Sequence, residues 1–233
     1  MFKVRLADLV IEIDNHYKYI EDFCAGYTVA DDMAADFSVG ISDDTELERE
    51  KESGMFDKGY LESLAVYRKI SERLLDYDGF LMHSAVLAVN GSGVAFAARS
   101  GVGKTTHIRL WKQLLGDKCT IVNGDKPLIR LFDGVPYAYG TPWSGKEGYN
   151  KNERVKLQNV CFLSRSEHNF IEEYPTTDAV KKILYQIYLP PKGDLVFKTM
   201  GLLDTMMKNI KVWHIGCNME LDAAKTVYNK IYG

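Results

Sequence analysis

No window of the chain approaches the eighteen apolar residues a membrane-crossing helix needs. The opening Met1-Phe2-Lys3-Val4-Arg5-Leu6-Ala7-Asp8 also lacks the uninterrupted apolar stretch of a signal peptide. The expectation is a cytoplasmic protein with no membrane partner. There is no basic run either. Twenty-nine Lys and Arg stand against 32 Asp and Glu, a net charge of −3, so nothing offers the cationic stripe that tracks a phosphate backbone, and no nucleic-acid partner is expected. Cysteine is sparse. Cys24, Cys119, Cys161 and Cys217 are scattered, with no C-x-x-C pair and no metal-ligand spacing, and read as reduced core thiols. Asn90-Gly91-Ser92 fits a glycosylation sequon but reads here as a turn. Internal repeats and low-complexity tracts are missing as well.

What remains is an ordinary globular composition, 46% apolar and 26% charged, in 233 residues. That length suits one substantial domain, or one of roughly 150 residues with a smaller partner. Residues 1–77 read as a small N-terminal α+β unit. Short strands are expected at Val10–Ile13 and Phe37–Ile41, then an amphipathic helix from Gly59 to Tyr77, where Leu61, Leu64, Tyr67, Ile70 and Leu74 recur at helical spacing. Residues 78–233 form the second unit. It opens on a β-rich run, Phe80–Val89, which the Asn90-Gly91-Ser92-Gly93 turn joins to Val94–Ala98 as a hairpin. Strands are predicted at Cys119–Val122, Leu128–Phe132, Val135–Tyr139, Val160–Leu163 and Val212–Ile215. Helices are predicted at Asp178–Leu189, Asp194–Ile210 and from Met219 onward. The expected fold class is α/β, of mixed α+β kind.

The chemistry concentrates after the hairpin. Ala98 leads into Arg99-Ser100-Gly101-Val102-Gly103-Lys104-Thr105-Thr106, followed by a helical pattern that Gly116 stops. This order of strand, glycine loop and helix fits G-x-x-x-x-G-K-[ST] at every position but the first, where Ala98 replaces glycine. Glycines let backbone amides turn inward on a polyphosphate, the lysine reaches the β and γ phosphates, and the hydroxyl binds magnesium. The helix start adds about half a positive charge to the anion site. ATP with Mg2+ is the expected ligand, held by Arg99, Ser100, Gly101, Val102, Gly103, Lys104, Thr105 and Thr106. A second acidic group for the metal belongs at the end of a neighbouring strand, where Asp125 follows Cys119–Val122. His107 stands either against the nucleotide or toward solvent, and His16, His168 and His214 carry no positional argument.

Together, Met82-His83-Ser84-Ala85-Val86-Leu87, the hairpin turn, Ser100-Gly101-Val102-Gly103-Lys104-Thr105 and Gly124-Asp125 resemble the nucleotide core shared by HPr kinase/phosphorylase and ATP-type phosphoenolpyruvate carboxykinase. The resemblance covers residues 78–165 well and the helical end loosely, while residues 1–75 have no counterpart in it. It implies a PEP carboxykinase/HPr kinase-like P-loop core. It also implies a place for His83 near the γ-phosphate or metal, and for Asp125 at the metal or the acceptor hydroxyl. HPr kinases typically carry two adjacent Asp at this strand end, and here Gly124-Asp125 offers one.

The loop Gly140-Thr141-Pro142-Trp143-Ser144-Gly145-Lys146-Glu147-Gly148 is Gly-flanked and long, and could close over the site with Lys146 neutralising transition-state charge. The expected reaction is γ-phosphoryl transfer from ATP to a hydroxyl, on a protein or peptide Ser or a small alcohol, with His83, Lys104, Asp125 and Lys146 as catalytic residues. A non-catalytic ATP-sensing module and a decarboxylating carboxykinase are the alternatives. Assembly into a homo-oligomer, as in the ring of HPr kinases, stays open.

Overall fold

Strand formation begins at residue 2, because Phe2, Val4 and Leu6 alternate with polar residues and point to one buried face. In the computed structural model, which describes residues 1–51, 56–99 and 101–233, β1 (Phe2–Leu6) pairs antiparallel with β2 (Leu9–Asp14). Their turn, Ala7-Asp8, has φ of 52° and 60°, the left-handed pair that matches strand twist in a two-residue hairpin. After α1 (Lys18–Phe23), β3 (Phe37–Gly40) joins β2 in parallel. The helix α2 (Lys58–Leu74) starts where the Asp57 carboxylate accepts the Gly59 N–H at 2.8 Å, and buries Leu61, Val66, Ile70 and Leu74.

The rest of the chain builds a mixed sheet with helices on both faces. Its elements are β4 (Gly79–Leu81), β5 (Ala85–Val89), β6 (Ser92–Ala97), α3 (Lys104–Leu115), β7 (Cys119–Asn123), β8 (Leu128–Phe132), β9 (Val135–Tyr139), β10 (Arg154–Arg165), β11 (Phe170–Glu173), α4 (Thr176–Leu184), α5 (Gly193–Met207), β12 (Lys211–Cys217) and α6 (Leu221–Tyr232). Among the described residues nine strands join, in the order β4-β8-β9-β10-β6-β5-β7, with β12 on β10 and β11 on β12. The twelve-residue β10 is shared. Its first residues pair antiparallel with β9, and its later ones run parallel to both β6 and β12.

Strand alternation sorts the core. Ala95, Ala97, Val160 and Phe162 face α4 and α5 through Ala179, Ile183, Leu203 and Met206. Phe96, Cys161 and Ile215 face α3 and α6 through Ile108, Trp111, Ala223 and Val227. The N-terminal sheet does not close on itself. Its core residues Val4, Ile11 and Phe37, with Ile70 of α2, pack with Leu128, Tyr139 and Trp143 of the larger sheet and its loop.

Several element boundaries differ from the sequence reading. The run Phe80–Val89 is broken at Met82–Ser84, because the His83 N–H donates to the Gln186 carbonyl and the Ser84 N–H to that of Asp125 rather than to a continuous ladder. The strand predicted at Val160–Leu163 reaches back to Arg154, and the helix predicted to Leu189 ends at Leu184. The hairpin at Asn90-Gly91, the helix ending at Gly116 and the pair Leu128–Phe132 and Val135–Tyr139 stand as read.

β6, β10 and β12 are mutually parallel, and β5 runs antiparallel to both β6 and β7. The carboxyl ends of β6, β7, β10 and β12 therefore meet at one rim, together with the start of β5. The carboxyl rim of parallel strands is the usual place for a ligand in open α/β sheets.

Candidate functional site

At that rim the glycine loop leaves β6 and enters α3. Gly101 and Gly103 have φ of +77° and +126°, and a Cβ at either would meet nothing within 4 Å. Glycine is required there for backbone direction, not for space. The Arg165 guanidinium, at the end of the neighbouring β10, donates to the carbonyls of Gly101 at 2.5 Å and Val102 at 3.4 Å. In a planar trans peptide the N–H opposes the C=O, so turning the Val102 carbonyl to Arg165 directs the Gly103 N–H the other way. Arg165 thus holds the loop's shape, although it lies some sixty residues downstream and carries no local motif. Ser100 lies outside the described residues.

α3 begins at Lys104, whose side chain is only 11% exposed and reaches back across the helix start. Its Nζ stands 2.8 Å from His83 Nε2 and 3.8 Å from Asp125 Oδ1, and His83 Nε2 is 2.9 Å from the same Asp125 oxygen. One ring nitrogen therefore serves two partners. Protonated, Nε2 donates to the carboxylate; unprotonated, it accepts from the ammonium. Burial pushes the Asp125 carboxyl up, but the hydrogen bond from His83 and the charges of His83, Lys104 and Lys126 outweigh it and hold the carboxyl below the ordinary range. Burial lowers the Lys104 ammonium below its ordinary value despite the opposing pull of Asp125.

Asp125 is positioned by the residue at the end of β7. The fully buried Asn123 uses its Oδ1 to accept the N–H groups of Asp125 and Lys126, both at 2.8 Å, while its Nδ2 donates to the carbonyl and hydroxyl of Thr141. Between them, Gly124 passes so close to the next loop that a Cβ would sit 2.6 Å from the Ser144 carbonyl oxygen. Packing thus excludes a side chain where a second adjacent carboxylate would stand.

The loop over the site divides into a pinned half and an exposed half. Thr141 to Ser144 are buried; Trp143 stacks on Tyr67 with ring centroids 4.0 Å apart and donates its indole N–H to the Ser63 carbonyl. Such a stack contributes about 0.5–1.5 kcal/mol beyond its buried area. The stretch 145–148 is exposed and crosses Asp125, with the Cβ direction of Gly145 (φ +81°) 3.2 Å from Asp125 Cβ. A cavity of about 490 Å3 is lined by His83, Lys104, Thr105, Thr106, Asp125 and Lys146, and reaches Arg99, Gly101 and Gly103 of the loop. The predicted residues other than Val102 and Ser100 thus meet at one cavity, and Val102 lines the two cavities that flank the loop. Among the described residues no three His, Cys, Asp or Glu side chains form a metal cage. The side chains of that cavity able to hold a cation beside substrate phosphates are Thr105 and Asp125.

Of the two places expected for His107, solvent is ruled out: it is 2% exposed, accepts the Trp111 indole N–H at 3.0 Å and meets Phe96 edge-on, while bordering the flanking cavity beside Thr106. Burial pushes its imidazole down to about 4. His214, at the rim, contacts Ser164 Oγ and Glu172 at 3.0 Å each.

A family model described as "SynChlorMet cassette protein ScmC" matches residues 57–185, more than half of the chain. The chain belongs to the ScmC family. The span of the ScmC match runs from the start of α2 to just past α4 and contains His83, the glycine loop, Asp125, Lys146 and Arg165. No curated protein matches the chain. Among solved structures, the Hpr(Ser) kinase/phosphatase from Coxiella burnetii is similar at 11% identity and a TM-score of 0.36, over 64% of this chain and 95% of that one. No helix among the described residues is long and apolar enough to cross a membrane.

Proposed function

We propose that this ScmC protein is an ATP-dependent phosphotransferase that moves the γ-phosphoryl group to a hydroxyl acceptor. The observation that carries the reading is the meeting of Lys104, His83 and Asp125 at the start of α3, directly after a loop opened by two positive-φ glycines. The loop amides and Lys104 hold the polyphosphate. Thr105 and Asp125 hold Mg2+, which when bound neutralises charge on the phosphates. In transfer the bond between the γ-phosphorus and its bridging oxygen breaks, a bond from that phosphorus to the acceptor oxygen forms, and ADP leaves. The acceptor proton passes to Asp125 or to His83 Nε2, and the shared position of that nitrogen lets a proton move between the two. Lys146 comes from the exposed half of the loop to offset developing charge. Little covalent chemistry falls on the protein, so positioning and charge carry catalysis.

The exclusion of a side chain at Gly124 favours a second reading, an ATP-sensing module that binds without turnover. Incubation of pure protein with γ-labelled ATP and Mg2+, alone and with soluble lysate, separates the two. Label that moves to a discrete acceptor with wild type and not with Lys104→Ala supports the transferase. ATP binding with no movement of label in any arm supports the sensor.

A further inference from the structure

Building on the phosphotransfer reading, we infer that the cavity beyond His83 is the acceptor site, and that it takes a hydroxyl borne on a carboxylate-rich molecule. Loop amides cradle the inner phosphates and the lysine reaches the β and γ groups, so the position of Lys104 Nζ beside His83 and Asp125 turns the γ end toward His83.

Two further cavities flank the glycine loop. One, of about 1110 Å3, is lined by His83, Ala98 and Arg99 on the loop side and by Lys181, Lys182 and Tyr185 opposite. The other, of about 670 Å3, is lined by Gly103, Thr106 and the ends of β10 and β12, and includes none of His83, Lys104 and Asp125. An acceptor must approach the γ-phosphorus in line with the leaving oxygen. It therefore belongs in the cavity that shares His83 and Arg99 with the Lys104 site, and the nucleoside belongs on the flank that does not.

Charge then selects the ligand. Among the described residues no carboxylate lies within ion-pair distance of Arg99, Lys181 or Lys182. Arg165, in the same wall, is already bound to loop carbonyls, and Asp178 supplies the acidic side chain of the lining. Three cations around one concavity raise the local concentration of anions and repel each other until an anion is bound. The Gln186 Oε1, on a residue of the same lining, finds no donor among the described residues. Carboxylates beside a hydroxyl are the shared chemistry, and either a small hydroxy acid or an acidic Ser-containing peptide segment supplies it.

The test uses the intact protein and three probes: a Ser peptide flanked by Asp and Glu, the same peptide flanked by Lys, and malate. Calorimetric binding without ATP is measured first, then transfer from γ-labelled ATP. The acidic peptide or malate is expected to bind, and which of them does so identifies the source. The exposed double variant Lys181→Glu/Lys182→Glu should weaken that binding at least tenfold while ATP affinity stays within twofold. Equal binding of the Lys-flanked peptide, no binding of either acidic probe, or charge reversal without effect each overturns the inference. The two readings fail separately. Charge-dependent binding without any transfer removes the phosphotransfer reading and leaves the anion site, whereas transfer indifferent to Lys181 and Lys182 does the reverse.

Discussion

Single side chains set three measurable properties. Lys104→Ala is expected to lower turnover about a hundredfold or more, roughly 3 kcal/mol at the transition state, in a labelled-ATP assay. Because burial depresses the Lys104 ammonium below its ordinary 10.5, its charge is lost at a lower pH than that of an exposed lysine. ATP affinity followed by titration calorimetry should therefore fall earlier on the alkaline side than a lysine at its ordinary value predicts, and Lys104→Arg should move that fall upward. His107 acts on stability. Its folded value of about 4 lies below the ordinary 6.5, so between those values the unfolded chain takes the proton first. Stability is complete above pH 6.5 and declines as the pH drops toward 4. Urea midpoints at pH 7 and pH 4.5 should record a loss of roughly 2–3 kcal/mol from this group, absent in His107→Gln. At this scale the sequence was legible where spacing is local. Gly101, Gly103, Lys104 and Thr105 occupy one short run, and Asp125 closes an apolar strand. Arg165, Lys181 and Lys182 reach the same rim only through strand order and helix placement, and no short-range pattern marks them.

The elements explain why Asp125 has no carboxylate beside it at residue 124. β7 ends in an Asn123-centred turn locked to Thr141, and Gly124 lies against the Ser144 carbonyl. Gly124→Asp is therefore expected not to restore a metal carboxylate but to push the loop outward, lowering stability by about 1–3 kcal/mol; a thermal melt beside the turnover assay shows whether activity falls with it. Raised activity at unchanged melting temperature would contradict this packing argument. Strands with clear alternation were the readable ones, and Leu128–Phe132 and Val135–Tyr139 match residue for residue. The first half of β10 also alternates, with Val155 and Leu157 buried between exposed Lys156 and Gln158, yet its polar face masked it. β11 buries no residue fully and offered no periodic signal. α4 stops at Leu184 instead of running on to Leu189, because the carbonyl of Gln186 accepts from the His83 N–H and the Tyr188 N–H donates to the Leu81 carbonyl.

Across the whole molecule the two sheets are joined rather than merely tethered. Tyr139 and Arg154 both bind the Asp8 carboxylate, Arg130 donates to the Ala7 carbonyl at 2.7 Å, and Tyr27 donates to Asn150 Oδ1 at 3.0 Å. Removing residues 1–57 is therefore expected to expose the Tyr139 and Trp143 faces and to yield an aggregating or protease-sensitive product in limited proteolysis, not an autonomous second unit. The composition announced a packed core, but not that the first unit's hydrophobic residues share theirs with the second. Of the links between the units, the one through Asn150 bears on motion. Asn150 also donates to Ser144 Oγ, and the Tyr149 carbonyl accepts from Gly124, so both ends of the exposed stretch 145–148 are fixed. Four residues between fixed ends let their midpoint travel less than about 9 Å. The stroke available to Lys146 is thus short, enough to touch a phosphate in the cavity it lines without unseating either anchor.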